Sequence, residues 1–190
     1  MLQPRHRPGE TPGGFATSHR APVNSSAPRQ GPRRVIGIDP GSIRCGIGVV
    51  ERDGNRVVHI YSATVQCGRG DFSTRLTRIY GAINEACTLH SPDGAAIEGI
   101  FHHRNADSAL KLGHARGVAM LALAHAGLSP LELSPAEVKK SIGAWGRADK
   151  DQVQAMVRRL IGVATPMGLD ESDALAIAIA GLYHKPLLAR

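Results

Sequence analysis

The chain has 190 residues and is 42% hydrophobic, which suits one domain of ordinary size with a buried core. No stretch approaches the ~18 uninterrupted apolar residues that a membrane-spanning helix requires. The three cysteines, Cys45, Cys67 and Cys87, are widely spaced and include no C-x-x-C pair. They indicate buried, reduced thiols and argue against a disulfide framework or a zinc site.

Residues 1–34 contain six of the twelve prolines and six arginines against a single acid, Glu10. Most of the net charge of +7 therefore lies in this segment, and the rest of the chain is nearly balanced. Such a composition cannot bury enough apolar surface to offset its ordering entropy, so a disordered basic tail is predicted. We favour a solvated tail over a nonspecific DNA-binding arm, and the prolines argue against a transit peptide.

The remaining residues, 35–190, are predicted to form one domain. Three turn-bounded, β-branched runs predict an antiparallel meander over 35–38, 45–50 and 57–65. Helices and strands then alternate: helix 73–89, strand 94–100, helix 106–126, strand 131–133, and helices 135–143, 149–161 and 170–183. This order predicts an α/β fold, with a mixed five-stranded sheet flanked by helices.

Four carboxylates stand at the ends of these predicted elements. Asp39 ends the first strand, Glu98 interrupts the apolar fourth strand, and Asp170 and Asp173 open the last helix. An acid in an apolar strand is costly to bury unless its charge is compensated, and a divalent cation can compensate several carboxylates. Oxygen-only ligands favour Mg²⁺ or Mn²⁺ over zinc. The four acids therefore predict a site for two Mg²⁺ ions about 3.5–4 Å apart, which suits phosphodiester cleavage.

Each acid also has a structural interpretation. Asp39 alone could cap a β-turn, and Glu98 could form a buried salt bridge, although such pairs seldom add net stability. Asp170 could be the N-cap of the last helix, with Asp173 in its first turn. Glu98 by itself favours a functional role, because an unpaired glutamate in a central strand is costly to bury. For Asp170 and Asp173, only their occurrence together with Asp39 and Glu98 favours a catalytic role.

Five motifs follow one another along the chain: GIDPGS at 37–42, AIEGIF at 96–101, NADSALKLG at 105–113, ARGVA at 115–119 and DESDALA at 170–176. Together they closely resemble the RuvC family of bacterial Holliday-junction (crossover junction) endodeoxyribonucleases. The resemblance runs from about Arg34 to the end of the chain, and only the N-terminal tail lies outside it.

The resemblance implies a ribonuclease H-like fold, a homodimer, and Mg²⁺-dependent nicking of two symmetry-related strands of a four-way junction, with 5′-phosphate products. It implies work in homologous recombination and DNA repair in the bacterial cytoplasm, beside a branch-migration helicase complex of the RuvA and RuvB type. The catalytic and metal-binding acids of the family match Asp39, Glu98, Asp170 and Asp173.

Four further residues are candidates for DNA binding: Phe101, Arg104, Lys139 and Lys150. By resemblance, the two lysines match basic positions near the scissile phosphate, and Phe101 matches an aromatic that stacks at the junction centre. An aromatic among basic residues can stack on an unpaired base. Arg104 is interpreted as a contact to the DNA backbone. The ordinary alternatives are a solvated helical lysine and a core phenylalanine.

Two other functions share parts of this pattern. A ribonuclease H-like nuclease acting on RNA precursors would keep the acids, but residues 105–117 and the Asp170/Asp173 pair argue against it. A noncatalytic junction-binding protein would be expected to lose acids, and an actin-like fold would need further phosphate loops. Gly113 and Gly117 permit close helix packing, either on the sheet or across a dimer interface, and the sequence leaves these alternatives open.

Overall fold

The computed structural model describes residues 33–99, 105–144 and 149–184. Its first three strands are β1 (Arg34–Asp39), β2 (Arg44–Asp53) and β3 (Arg56–Gln66), and they pair as the predicted antiparallel meander. The β2–β3 turn needs Gly54, whose φ of 57° is the left-handed conformation of a tight hairpin. The sheet begins at Arg34, whose guanidinium pairs with Glu51 and whose backbone N–H donates to Asp93 at 2.8 Å.

The rest of the fold alternates helices and strands as predicted. The elements are α1 (Phe72–His90), β4 (Gly94–Glu98), α2 (Ala106–His125), β5 (Pro130–Leu133), α3 (Pro135–Ser141), α4 (Lys150–Ile161) and α5 (Leu169–Tyr183). Capping boxes begin α3 at Ser134 and α4 at Asp149. In each, the cap side chain accepts a hydrogen bond from the backbone N–H of the third helical residue, whose side chain in turn accepts from the backbone N–H of the cap residue. The sequence predicts a fourth strand that reaches residue 100, whereas in the structure β4 ends at Glu98.

The five strands form one mixed sheet in the order β3-β2-β1-β4-β5. The β4 strand runs parallel to β1 on one side and to β5 on the other, which makes it an interior strand of the sheet. Because parallel strands end at the same edge, β1 and β4 bring Asp39 and Glu98 to adjacent positions.

Apolar residues cover both faces of the sheet. On one face, Ile36 and Ile38 pack with residues of α1 and α2, including Ile83 and Leu123. On the other face, Val35 packs with the buried residues of α5 and with α3 and α4. The three cysteines are buried and free, which confirms the interpretation of Cys45, Cys67 and Cys87 as unpaired core thiols.

Glycines in β1 and β2 allow α5 to lie directly on the sheet. A Cβ atom added to Gly48 would come within 2.7 Å of the Leu175 backbone nitrogen, and one added to Gly46 would clash with the carbonyl oxygen of Asp170. Gly37 meets the α5 backbone in the same way. The helix that carries Asp170 and Asp173 is therefore held directly against β1, the strand that ends at Asp39, and against its neighbour β2.

Within the residues that the structure describes, no helix is both long enough and apolar enough to cross a membrane.

Candidate active site

Asp39 and Glu98 are neighbours at one edge of the sheet. The β1–β4 register pairs Ile38 with Ile97, and each acid is the next residue of its strand. Side chains alternate along a strand, so Asp39 projects to the same face as Gly37, which lies against α5. Glu98 likewise shares the face of Ala96, which packs in the α5 layer. Both acids therefore project towards the N-terminal end of α5.

The remaining two acids come from that end of α5. The N-cap of the helix is Gly168, without a side-chain capping bond, and Asp170 is the second helical residue. The interpretation of Asp170 as an N-cap is therefore wrong. Its carboxylate and that of Asp173 lie in the first turns, where negative charge is favourable to the helix dipole.

The four carboxylates share one electrostatic environment. Burial first, and then the charges of Asp173, Glu98 and Asp170, raise the pKa of Asp39 to about 7. Burial and Asp173 raise the pKa of Glu98, and burial raises the pKa of Asp173, with Asp170 adding to the effect. These carboxylates destabilise one another's ionised forms. A cation bound between them would relieve this repulsion, so the site favours cation binding.

Two cationic side chains reach this site from its two sides. Lys150 Nζ lies 3.6 Å from Asp173 Oδ2, and Arg44 Nε lies 3.2 Å from Asp170 Oδ2. Lys150 partly offsets the raised pKa values of Asp39, Glu98 and Asp173. The side chains of the described residues thus supply part of the positive charge that the acids require.

The donor set fits a hard divalent cation, since all four candidates are carboxylates and the pKa values of Asp39, Glu98 and Asp173 are raised in the absence of a cation. Across the described ranges, however, no three acidic, histidine or cysteine side chains lie close enough to hold one ion as they stand. Loading would therefore require the carboxylates to turn towards the ion.

A cavity of about 240 Å³ opens on the Glu98 side of the site, between α3, α4 and α5. Lys139 and Lys150 line it together with Glu98 and Asp173. The structure thus places both predicted lysines beside two of the predicted acids.

A wider groove of about 630 Å³ opens on the Asp39 side. Its charged lining includes three acids, Asp39, Asp107 and Asp170, and four basic residues, Arg44, Arg69, Arg75 and Lys111, of which Lys111 is paired with Asp107. Arg75 is held in place because its Nε donates to the Ser42 carbonyl at 2.8 Å and its guanidinium lies 5.2 Å from the ring centroid of Phe72.

Sequence reasoning missed these four basic residues. Arg44 had one usable signal, since it follows the turn directly after Asp39, whereas Arg75 had none because only packing brings α1 to the site. Phe101 and Arg104, the other predicted DNA-binding residues, lie outside the described residues and stay predictions.

The structure separates the two alternatives for Gly113 and Gly117. A Cβ atom added at either position would meet no heavy atom within 4 Å, so neither glycine packs closely on the sheet. The neighbouring Leu110 and Leu121 are 63% and 49% exposed. Among the described residues, this face of α2 is therefore apolar and uncovered.

Known proteins are similar to this chain in sequence and in fold. The family model for crossover junction endodeoxyribonuclease RuvC matches residues 35–181. Curated proteins with that name from Hyphomonas neptunium and Myxococcus xanthus are 45% and 46% identical over 157 residues. The first alignment covers 82% of this chain and 94% of the relative, and the second covers 80% and 81%.

Solved structures agree. T. thermophilus RuvC in complex with a Holliday junction substrate matches with a TM-score of 0.70 and 29% identity, over 77% of this chain and 91% of that one. The yeast mitochondrial Holliday junction resolvase Ydc2, at 16% identity and a TM-score of 0.60, covers 82% and 80% and supports the fold alone. The ribonuclease H-like fold implied by the resemblance is confirmed.

Proposed function

The chain belongs to the crossover junction endodeoxyribonuclease RuvC family, and we propose that it resolves Holliday junctions during homologous recombination and DNA repair. The observation that carries this proposal is the convergence of four carboxylates, from β1, β4 and α5, between two openings that each contain basic side chains beside the acids. An acidic centre with basic flanks suits a phosphodiester that must be held on both sides of the cut.

Asp39, Glu98, Asp170 and Asp173 would hold two Mg²⁺ ions, with Mn²⁺ as a substitute. When bound, the ions supply activation of the attacking water and stabilisation of charge on the leaving 3′ oxygen, which leaves a 5′-phosphate. The protein contributes a rigid frame, because two acids sit on adjacent strands and two sit on a helix pressed onto the sheet. Arg44 and Lys150 would exchange their carboxylate partners for DNA phosphates as the site loads.

The two openings define a path for the DNA backbone. One strand would pass from the cavity lined by Lys139 and Lys150, across the acids, to the groove lined by Arg44 and Arg75. Lysine and arginine contacts to phosphates position the DNA without reading its sequence. Junction binding should therefore weaken steeply with salt, while any cleavage-site preference arises from DNA distortion and a few base contacts.

A homodimer would be formed through the apolar face of α2. The open positions at Gly113 and Gly117 allow the backbone of a second helix to approach, and Leu110 and Leu121 offer apolar area. A two-fold pair presents two identical sites to a nearly two-fold junction, which accounts for paired symmetric cuts. A helicase complex of the RuvA and RuvB type as partner, and the bacterial cytoplasm as location, are proposed from the family alone.

The test is cleavage of an end-labelled mobile four-way junction by the wild type and by Glu98→Gln, with and without Mg²⁺. We expect paired symmetric nicks from the wild type only with metal, and junction binding without cleavage from the variant. Binding by both proteins with cleavage by neither would make the carboxylates structural and the chain a binding module. Preferential cleavage of an RNA precursor would assign it to another ribonuclease H-like activity.

A further inference from the structure

We infer that Arg116 of α2 is a positioning residue that fixes the end of β4 and thereby the place of Glu98 in the site. The inference rests on the proposed function, because it concerns how the proposed catalytic acid is held. Arg116 contacts the main chain of Glu98 and lies on the face of the sheet opposite α5, so it acts through Glu98 and not on the substrate.

The end of β4 lacks one donor of the sheet ladder. Gly99 N–H donates to Leu133 O at 2.8 Å on the β5 side, so the carbonyl of the preceding residue, Glu98, is directed to the β1 side. With Ile38 opposite Ile97, the next ladder donor to that carbonyl would be the backbone nitrogen of residue 40. Residue 40 is proline, which has no N–H to give.

Arg116 supplies a donor to that carbonyl. Its Nε donates to Glu98 O at 3.4 Å, and its Nη2 forms an ion pair with Glu132 Oε2 at 2.5 Å. Glu132 lies on β5, so one guanidinium connects the ends of two strands. The arginine side chain is only 15% exposed, which limits the solvent screening of its contact with the Glu98 carbonyl, whereas Glu132 is 55% exposed and the ion pair is more strongly screened.

This arrangement matters because Pro40 has opposite effects on the two strands that carry Asp39 and Glu98. Proline ends β1 and turns the chain away from the site directly after Asp39, but the same residue leaves the β4 strand without a partner at Glu98. A planar guanidinium with several fixed donors can serve a carbonyl and a carboxylate together, whereas a lysine ammonium serves them with less definite geometry.

The test compares Arg116→Met, Arg116→Lys and Glu132→Gln in the full chain. Arg52→Met is the matched control, because Arg52 also donates to a backbone carbonyl, that of Leu182, and contacts Tyr183 far from the acids. Three quantities are measured for each protein: Mn²⁺ affinity by titration calorimetry, junction affinity without metal, and single-turnover cleavage at saturating protein.

For Arg116→Met we expect Mn²⁺ affinity to fall at least fivefold and cleavage at least tenfold, with junction affinity within twofold of the wild type. Arg116→Lys should recover part of both losses, and Glu132→Gln should show a smaller loss in the same direction. Arg52→Met should leave all three quantities unchanged even where its melting temperature falls.

Unchanged Mn²⁺ affinity in Arg116→Met would overturn the inference, as would equal losses in Arg116→Met and Arg52→Met. If Arg116→Met does not fold, the two milder variants decide the matter in the same way. If the wild type binds Mn²⁺ but cuts no junction, the proposed function fails, and the metal titration of the variants still tests the role of Arg116.

Discussion

Lys150 Nζ lies 3.6 Å from Asp173 Oδ2, so the first residue of α4 reaches an acid near the start of α5. A lysine at a helix N-terminus opposes the helix dipole and does not serve the stability of its own helix. The acids that Lys150 faces account for its position, because its positive charge partly offsets the raised pKa values of Asp39, Glu98 and Asp173.

Replacing this lysine should therefore impair cleavage more than binding. Lys150→Met removes a cation beside the proposed scissile phosphate, and we expect single-turnover cleavage to fall roughly 10- to 100-fold. Junction affinity should weaken only severalfold, with the slope of log affinity against log salt reduced by about one. Lys140→Met, which removes an exposed lysine of α3, is the control and should change neither rate nor slope by more than twofold. Equal effects of the two substitutions would show that Lys150 contributes only general charge.

The raised pKa of Asp39 predicts how the metal-free protein responds to pH. A carboxyl whose pKa is higher in the folded state than in the unfolded one favours folding at low pH and loses that contribution as pH rises. For Asp39 the change runs from its ordinary value of 3.8 to about 7. In EDTA, the free energy of unfolding should therefore decline between about pH 4 and pH 7 relative to Asp39→Asn.

Denaturant unfolding of both proteins at several pH values measures this difference. At pH 8 we expect Asp39→Asn to be more stable than the wild type by about 1–3 kcal/mol. This is less than the full pKa shift of Asp39 implies, because the titration of Asp39 is coupled to that of the neighbouring carboxylates. Saturating Mg²⁺ should stabilise the wild type and leave the variant nearly unaffected. Parallel pH profiles of the two proteins in EDTA would contradict the proposed crowding of charge at Asp39.

Much of the site was predictable because its acids interrupt regular patterns. Glu98 stands in an otherwise apolar strand and Asp39 ends one, so each signals a site before any contact is known. The alternation of Gly46 and Gly48 in β2 was also a usable signal, since side-chain-free positions on one strand face permit a helix to approach.

The basic residues of the wider groove were not predictable in the same way. Arg44 and Arg75 are separated by the whole length of β2 and β3, and only the packing of α1 beside the β1–β2 turn brings them together. Arg116 gave no signal either, because its partner is a backbone carbonyl, which no sequence pattern marks.

The close approach of α5 to the sheet predicts a large cost for one methyl group. In Gly48→Ala, the new Cβ would lie 2.7 Å from Leu175 N, so helix and sheet must separate. We expect the free energy of unfolding to fall by roughly 2–4 kcal/mol and cleavage to decline with the displaced acids. Gly81→Ala, on α1 with no atom within 4 Å of the new methyl, should be neutral or slightly stabilising. Equal stability of the two variants would refute the packing role of Gly48.

The exposed face of α2 predicts the oligomeric state and the pairing of cuts. If a second copy covers this face, Leu121→Glu places two like charges near the two-fold axis and should convert a dimer into a monomer of 20.1 kDa. Sedimentation equilibrium measures the mass, and a plasmid-borne cruciform distinguishes paired from single cuts. The variant should produce single nicks, because its two sites no longer act on one junction together.

Leu89→Glu is the matched control, since Leu89 is a 68% exposed leucine on the neighbouring helix α1. It should leave both the dimer and the paired cuts unchanged. A monomeric wild type that makes paired cuts would remove the dimer from the mechanism. A dimer that withstands Leu121→Glu would place the interface elsewhere, and the glycines at 113 and 117 would then need another explanation.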